Sequence, residues 1–422
     1  MRGAIGDRVG PSSRPCTTGR CTPLWLTCRA ATHRLDDCME RCCDMAILGG
    51  GCAGVSLVRE LLRQAGSRAM PRVHLIEADA GFGVNKTWGF WHPVDDGPAV
   101  PVSASFSEWT FSCGGRVRAH RSQAWRYSVV EARAFFDEAV ALAQHHPRVE
   151  IHTGTPVLEV IDGGDRVKVV TSGGVWSCGH VVDTRPPERA RVDYSRMLQI
   201  FLGAEIVTPR PYDRPGVGLM ESMGCDSSGF HFDYLVPLDA GRILVEATRF
   251  VAAPPPRERL EHDLEAALQR HFPEGGHRIV RRESGVIPMG LPAGDGPASP
   301  RIVEAGSRAG AVRDSSGYAF MDIQRWAVQC ARAILEGGLP MGHPARSRLL
   351  RWMDGLLLDV LVAHPDRAPD IFMSLAGRVA PDAFVRFMNG TPRPRDVLAV
   401  MKALPAGLFF GTIVFSGKGR RG

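Results

Sequence analysis

A chain of 422 residues is longer than one hydrophobic core usually serves, which points to two or three closely packed subdomains. Apolar residues at 44% and charged ones at 23% describe an ordinary globular protein, and a net charge of +6 is too mild for a nucleic-acid binder, so an enzyme is the expected class. Residues 1–43 hold six of the eleven cysteines, Cys16, Cys21, Cys28, Cys38, Cys42 and Cys43, among Arg, Ser, Thr and Pro with no apolar period. Such a segment cannot bury a core. It lacks the apolar stretch of a secretory signal, and Asp7, Asp36, Asp37 and Glu40 argue against a transit peptide. The expectation is a disordered or over-extended head, with Met39 or Met45 as the true start. No CxxC or Cys/His ligand spacing occurs, so no metal site is expected. The other cysteines, Cys52, Cys113, Cys178, Cys225 and Cys330, are scattered as a reducing cytoplasm permits.

Asp44–Leu48 then reads as a buried strand, Gly49-Gly50-Gly51-Cys52-Ala53-Gly54 satisfies GxGxxG, and Val55–Ala65 reads as a helix. Gly49 makes the tight turn, Gly51 lets backbone approach a pyrophosphate at the helix N-terminus, and Gly54 permits close helix–sheet packing. A second strand, Val73–Ile76, ends in Glu77, placed where a carboxylate would accept the adenosine ribose hydroxyls. Strand, glycines, helix, strand and acid in register predict dinucleotide binding. FAD is favoured over NAD because the chain runs on without a second GxGxxG, and because Arg166–Thr171, Gly174–Cys178 and Val181–Asp183 read as an inserted β-meander.

From Asp44 onward the chain resembles the lycopene cyclases of carotenoid biosynthesis. The resemblance rests on the Gly49–Gly54 loop, Asn85–Trp91, Trp125–Val129, Leu198–Gly203, Phe232–Leu238, Arg242–Thr248, Gly285–Met289 and Ser316–Phe320, in shared order. Two departures accompany it: Glu246-Ala247-Thr248 has one acid where many cyclases have two, and Met220-Glu221-Ser222-Met223 lacks an arginine. The resemblance implies an α/β fold: a Rossmann-type FAD-binding domain with the inserted meander (44–190 with 280–335), a substrate-binding β-sheet region (191–279) and a helical C-terminal region (336–422). It also implies a redox-neutral isomerisation. A linear ψ-end of lycopene is protonated at C2, the C1 cation is captured by the C5–C6 alkene, and a proton leaves to give a β-ring. Implied with it are reduced FAD, NAD(P)H as reductant, lycopene or a related acyclic carotenoid as substrate, and Gly317 near the flavin.

Such chemistry needs an acid in a dry apolar pocket, with negative charge or π-density near the cation. Glu246 is the first candidate acid, because Ile243, Leu244 and Val245 would bury it on a strand; the other reading is a solvent-facing glutamate paired with Arg242 or Arg249. Glu221 is the second candidate, against a surface loop acid, and Asp233 a weaker third. Trp88, Phe90, Trp91 and Trp125 either line a tunnel and stabilise cations or are ordinary core. Val397–Phe415 is apolar but broken by Lys402 and Pro405, so no spanning helix is expected. Either Leu408, Phe409 and Phe410 dip into a membrane surface while Lys418, Arg420 and Arg421 meet headgroups, or this is a buried terminal helix. The lipid-soluble substrate favours a cytoplasmic, peripheral membrane enzyme. Two alternatives stand beside the cyclase: a monooxygenase or isoprenoid reductase on the same fold, and a non-enzymatic flavin-binding membrane protein.

Overall fold

The computed structural model describes residues 41–83, 85–291 and 299–419; the head expected to be disordered lies, up to residue 40, outside the described residues. In chain order the first part runs β1 (Arg41–Leu48), α1 (Cys52–Ala65), β2 (Val73–Ile76), β3 (Thr87–Pro93), β4 (Ala104–Phe106), β5 (Glu108–Cys113), β6 (Arg116–Arg121), β7 (Trp125–Glu131), α2 (Ala132–Gln144) and β8 (Val149–His152). There follow β9 (Val157–Asp162), β10 (Val167–Thr171), β11 (Gly174–Asp183), α3 (Arg189–Asp193), β12 (Met197–Val207), β13 (Val217–Asp226), β14 (Gly229–Pro237), β15 (Arg242–Val251), α4 (Arg257–His271) and β16 (Arg278–Met289). The rest holds β17 (Ile302–Glu304), α5 (Phe320–Leu335), α6 (Arg348–Ala363), α7 (Ala368–Arg378), α8 (Pro381–Met388), α9 (Pro394–Ala403) and α10 (Ala406–Gly419).

The first sheet has the order β8-β2-β1-β11-β10-β9, with β17 beside the end of β11. Its β8, β2, β1, β11 and β17 are parallel, and a parallel strand is covered on both faces, which is why Met45–Leu48 are all buried. Two expectations are corrected here. β1 starts at Arg41, not Asp44, because Arg41, Cys42 and Cys43 pair with Trp176, Ser177 and Cys178 of the long β11. Gly174–Cys178 and Val181–Asp183 are one strand, whose first half pairs with β10 and whose last three residues pair with β17.

The second sheet has the order β16-β12-β15-β14-β13-β5-β6 and is antiparallel except between β13 and β5. It is larger than the expected 191–279 region. β12, buried along most of its length, needs a hydrogen-bonded neighbour on each side, and Arg278–Met289 supplies the second; Glu108–Arg121 extends the far edge. Alternation along β15 gives the sheet two apolar faces. Ile243, Val245 and Ala247 pack on Leu264, Ala267 and Leu268 of α4. Leu244 and Phe250 turn the other way, with Phe230, Phe232 and Val236 of β14, toward Trp91, Tyr127 and the C-terminal helices. A third sheet, β3-β7-β4, carries Trp91 and Tyr127 against this face.

The C-terminal region is helical, as expected, and among the described residues no helix is long and apolar enough to cross a membrane. The expected dipping trio is split. Phe409 is buried in the core and Leu408 packs against it, while Phe410 is 68% exposed, because neighbours on a helix point in different directions. Arg420 and Arg421 lie outside the described residues.

Candidate active site

β1 delivers the chain into the glycine loop. Gly49 has φ +97°, and a Cβ on it would lie 3.1 Å from the backbone nitrogen of Arg185, so handedness and the Asp183–Pro186 turn both require glycine. A Cβ on Gly54 would sit 2.1 Å from the Gly49 carbonyl oxygen, so α1 approaches the loop as closely as backbone allows. Gly51 is the opposite case: nothing lies within 4 Å of its Cβ position, and the first turn of α1 opens onto that free space. Free N–H groups at a helix start, with room in front of them, form an anion cradle. Glu77, at the end of β2, turns its carboxylate toward this loop, accepting from Gly50 N–H and, at 2.9 Å, from Asp79 N–H.

A buried hydrogen bond of 2.8 Å from Gln324 Nε2 to Ser56 Oγ ties the first turns of α5 and α1 together. Just before α5, Gly317 has φ +72°, and a Cβ on it would lie 2.7 Å from Gln199 Oε1 of β12. Gln199 Oε1, Ser316 Oγ and Trp91 Nε1 are buried without a hydrogen-bond partner, a condition worth about 1–3 kcal/mol per group until a partner arrives. The open cradle at Gly51 and these orphaned groups beside Gly317 fit a dinucleotide with a polar ring system at its far end, and FAD has that form.

An apolar cavity adjoins Gly317. Trp91, Phe232, Tyr234, Phe250, Tyr318 and Phe384 belong to its wall. Trp91 packs edge-on to Tyr127 and Phe384, with centroids 5.0 and 5.9 Å away, and lies 5.1 Å from Tyr318. The Tyr127 and Tyr234 hydroxyls both reach Tyr318, and burial raises all three phenols above their ordinary range, so they stay protonated. Arg313 and Asp354 fix the turn that carries Tyr318. The Arg313 guanidinium donates to Asp354 Oδ1 at 2.8 Å and to Phe387 O, Ser315 Oγ donates to the same Asp354 oxygen at 2.7 Å, and Arg313 N–H donates to Tyr318 O at 2.9 Å.

Glu246 lies on the β15 face that carries Phe250 and stands opposite Tyr234 of the cavity wall. It is buried, and among the described residues its one side-chain donor is the Thr248 hydroxyl at 2.8 Å. Burial first, and then the nearby Glu283 carboxylate, push its pKa up to about 8 against the weaker pull of Thr248. The solvent-facing reading of Glu246 therefore fails: Arg242 pairs with Asp239, Glu131 and Glu205, and Arg249 with Asp226 and Asp263.

Glu221 is also buried, but it is not brought to Glu246. It accepts from Thr110 and Ser112, and its strand neighbour Asp233 accepts from Arg270 and His271 of α4, on the opposite face of the sheet. Of the four aromatics, Trp91 lines the cavity. Phe90 and Trp88 pack against Phe320 at the start of α5, and Trp125 borders an outer groove with Arg386 and Arg393. Tyr127, Tyr234, Tyr318, Glu283 and the Arg313–Asp354 pair were not singled out in the sequence.

Among the described residues one metal-capable group converges, His74, Glu150 and His152. The two imidazoles are coplanar within 2°, their centroids 5.1 Å apart, with His74 Nδ1 2.8 Å from His152 Nε2. That geometry is edge to edge, nitrogen facing nitrogen. A metal between them would need about 2.0–2.1 Å to each nitrogen, so the contact is an N–H···N hydrogen bond and not a ligand pair.

The family model described as "Lycopene cyclase protein" matches residues 44–408. A lycopene beta-cyclase of Pseudescherichia vulneris is 28% identical over 294 residues, covering 66% of this chain and 70% of that protein. Among solved structures, a geranylgeranyl bacteriochlorophyll reductase-like protein of Thermoplasma acidophilum superposes with a TM-score of 0.56 at 12% identity, over 86% of this chain and 96% of that one. The flavin-dependent brominase Bmp2 gives 0.54 at 14% identity, over 89% and 99%. The fold is thus shared with FAD-dependent oxidoreductases and halogenases.

Proposed function

The chain belongs to the lycopene cyclase family, and from that premise we propose that it closes the linear ψ-ends of lycopene, or of a related acyclic carotenoid, into β-rings in a flavin-dependent isomerisation. The observation that carries the reading is a buried glutamate that keeps its proton near neutral pH beside a cavity walled mainly by aromatic and aliphatic side chains. Glu246 gives its proton to C2 of the ψ-end, the C5–C6 alkene closes on the C1 cation to form the C1–C6 bond, and the proton lost from C6 completes the β-ring. Formula and oxidation level are unchanged. Trp91, Tyr234, Tyr318, Phe232 and Phe384 present π-faces to the cation and exclude water, which would otherwise trap it as an alcohol. The cradle residues Gly49, Gly51 and Gly54 with Glu77 would hold the ADP part of FAD, and Gly317 and Gln199 its ring end. When bound, FAD, reduced with NAD(P)H as donor, would supply negative charge without net electron transfer.

Gly51→Val should fold normally, because its Cβ meets nothing, yet purify without flavin, because the side chain fills the cradle. A normal bound-flavin absorbance in that variant would reject the cradle assignment. Exposed Trp352, Leu349, Leu398, Met401 and Phe410 on α6, α9 and α10, with Arg348, Arg351 and Lys402 on the same helices, support a peripheral membrane location from which a bilayer-dissolved carotenoid is drawn. The reading is tested by expressing the protein in cells that accumulate lycopene and analysing the pigments. Monocyclic or dicyclic carotene is expected. Unchanged lycopene beside flavin-loaded protein would overturn the proposal, and NAD(P)H consumed in proportion to product would mark a redox enzyme instead.

A further inference from the structure

Two buried acids flank one glycine. In the register of the second sheet, Gly203 of β12 stands opposite Glu246 of β15 on one side and opposite Glu283 of β16 on the other. Directly paired residues share a sheet face, so both carboxyl chains rise from the face that carries the cavity. A Cβ on Gly203 would lie 3.2 Å from Glu283 Cγ and 3.2 Å from Leu244 Cδ1, so the Glu283 stem and Leu244 occupy the room that a side chain here would need, and glycine is what lets Glu283 lean over this position.

The two acids are held differently. Glu283 Oε2 accepts from Arg281 Nη1 at 2.6 Å and from Thr87 Oγ1 of β3 at 3.0 Å. Arg281 is fixed in turn by bonds of 2.9 Å to Thr87 Oγ1 and to Glu205 Oε2. Among the described residues Glu246 has only the neutral Thr248 hydroxyl. Two close carboxyls cannot both ionise cheaply in an apolar interior, and the one with the guanidinium partner gives up its proton first.

We propose that Glu283 is a positioning residue of the reaction: held ionised by Arg281 and Thr87, its negative charge keeps the proton on Glu246 and so makes Glu246 the acid. This rests on the cyclase reading of Glu246. The groups facing Glu246 are Thr248 on its own strand, Tyr234 on β14, Glu205 on β12, Glu283 and Arg281 on β16, and Tyr127 on β7, with Tyr318 beyond. The tyrosines remain neutral, and Glu205 is neutralised between Arg242 and Arg281, so Glu283 is the charge that Glu246 feels most. Burial, with a smaller push from Glu205, leaves Glu283 raised as well, but Arg281 and Thr87 limit that rise, a counterweight from a cation that Glu246 does not have.

The test uses full-length, flavin-loaded wild-type, Glu283→Gln and Glu283→Asp protein with two readouts: ring formation against pH with lycopene in liposomes, and the pH midpoint of the protonated-carboxyl infrared band that Glu246→Gln lacks. In Glu283→Gln both midpoints should fall by about one pH unit or more, since a like charge is removed. Glu283→Asp keeps the charge one methylene farther away, so its midpoints should fall by less. Midpoints unmoved in Glu283→Gln, or in Glu283→Asp if the amide variant does not fold, overturn the inference. A band that shifts as expected in a protein that makes no ring supports the dyad and overturns the cyclase reading instead.

Discussion

Glu246→Gln is expected to lose ring formation by at least about a hundredfold while keeping its flavin, because an amide has the shape of the carboxyl but no proton to give. Its neighbours would stay in place: Thr248 can donate to an amide oxygen as it does to Glu246 Oε1. Glu246→Asp should retain a little activity, since the acid remains but is withdrawn by one methylene. Wild-type activity should be full below, and fall as pH rises through, about 8, where Glu246 ionises. Stability follows with a definite sign. The folded carboxyl holds its proton up to about 8 while the unfolded one releases it near 4.5, so the folded state binds more protons in that window and loses stability as pH rises. The Gln variant escapes this loss and should gain on wild type by up to a few kcal/mol between pH 5 and 9. Urea unfolding at both pH values checks the sign, and turnover per bound flavin checks the role. A Gln variant that cyclises at the wild-type rate would remove Glu246 from the mechanism.

The second large effect belongs to Arg313→Leu, a residue that touches no reacting atom. Arg313 and Asp354 are each 2% exposed, and removing the guanidinium leaves a buried carboxylate with, among the described residues, only the Ser315 hydroxyl as side-chain donor. Breaking such a pair costs about 3–5 kcal/mol. The Arg313 guanidinium also lies over the Phe387 ring at 4.5 Å and donates to Phe387 O, so its loss frees that wall of the cavity, while the backbone bond from Arg313 N–H to Tyr318 O survives the substitution. The expected result is a marked drop in thermal midpoint with loss of cyclisation. A double change, Arg313→Leu with Asp354→Leu, should recover much of the stability, because no charge is then stranded. Equal instability of single and double variants would show that the ion pair is not the cause.

The parts of the site legible in the sequence are those written within a few consecutive residues. Gly49–Gly54 with its flanking strands is such a case, because turn geometry and helix start are local demands. Burial of Glu246 was legible as one of two readings, from the apolar run Ile243–Val245. Glu221 shows the limit. Two irregularities of register in β13, between Gly218 and Glu221 and between Glu221 and Gly224, with Ser222 at φ +51°, decide which face its carboxyl takes. A bulge shifts every later side chain to the other face, and no local motif announces it. Glu283 follows Arg281 and Arg282 and reads as part of a solvated charged run; only its pairing with Gly203 places it beside Glu246. Tyr127, Tyr234 and Tyr318 are equally ordinary until three separate elements bring their hydroxyls together.

The cavity wall draws on residues from Trp91 to Val400, and this fixes when in the life of the chain the site can exist. Phe230, Phe232 and Phe250 are complete on their sheet well before the helices that cover them have been synthesised, Phe372 of α7 stacking on Phe230 with centroids 5.3 Å apart. At about 5–20 residues per second, the stretch from the end of β15 to the end of α8 takes roughly 7 to 27 seconds to emerge. For that interval an aromatic sheet face stands uncovered at the ribosome, open to holding chaperones or to a lipid surface, and the site that excludes water is the last part of the molecule to close.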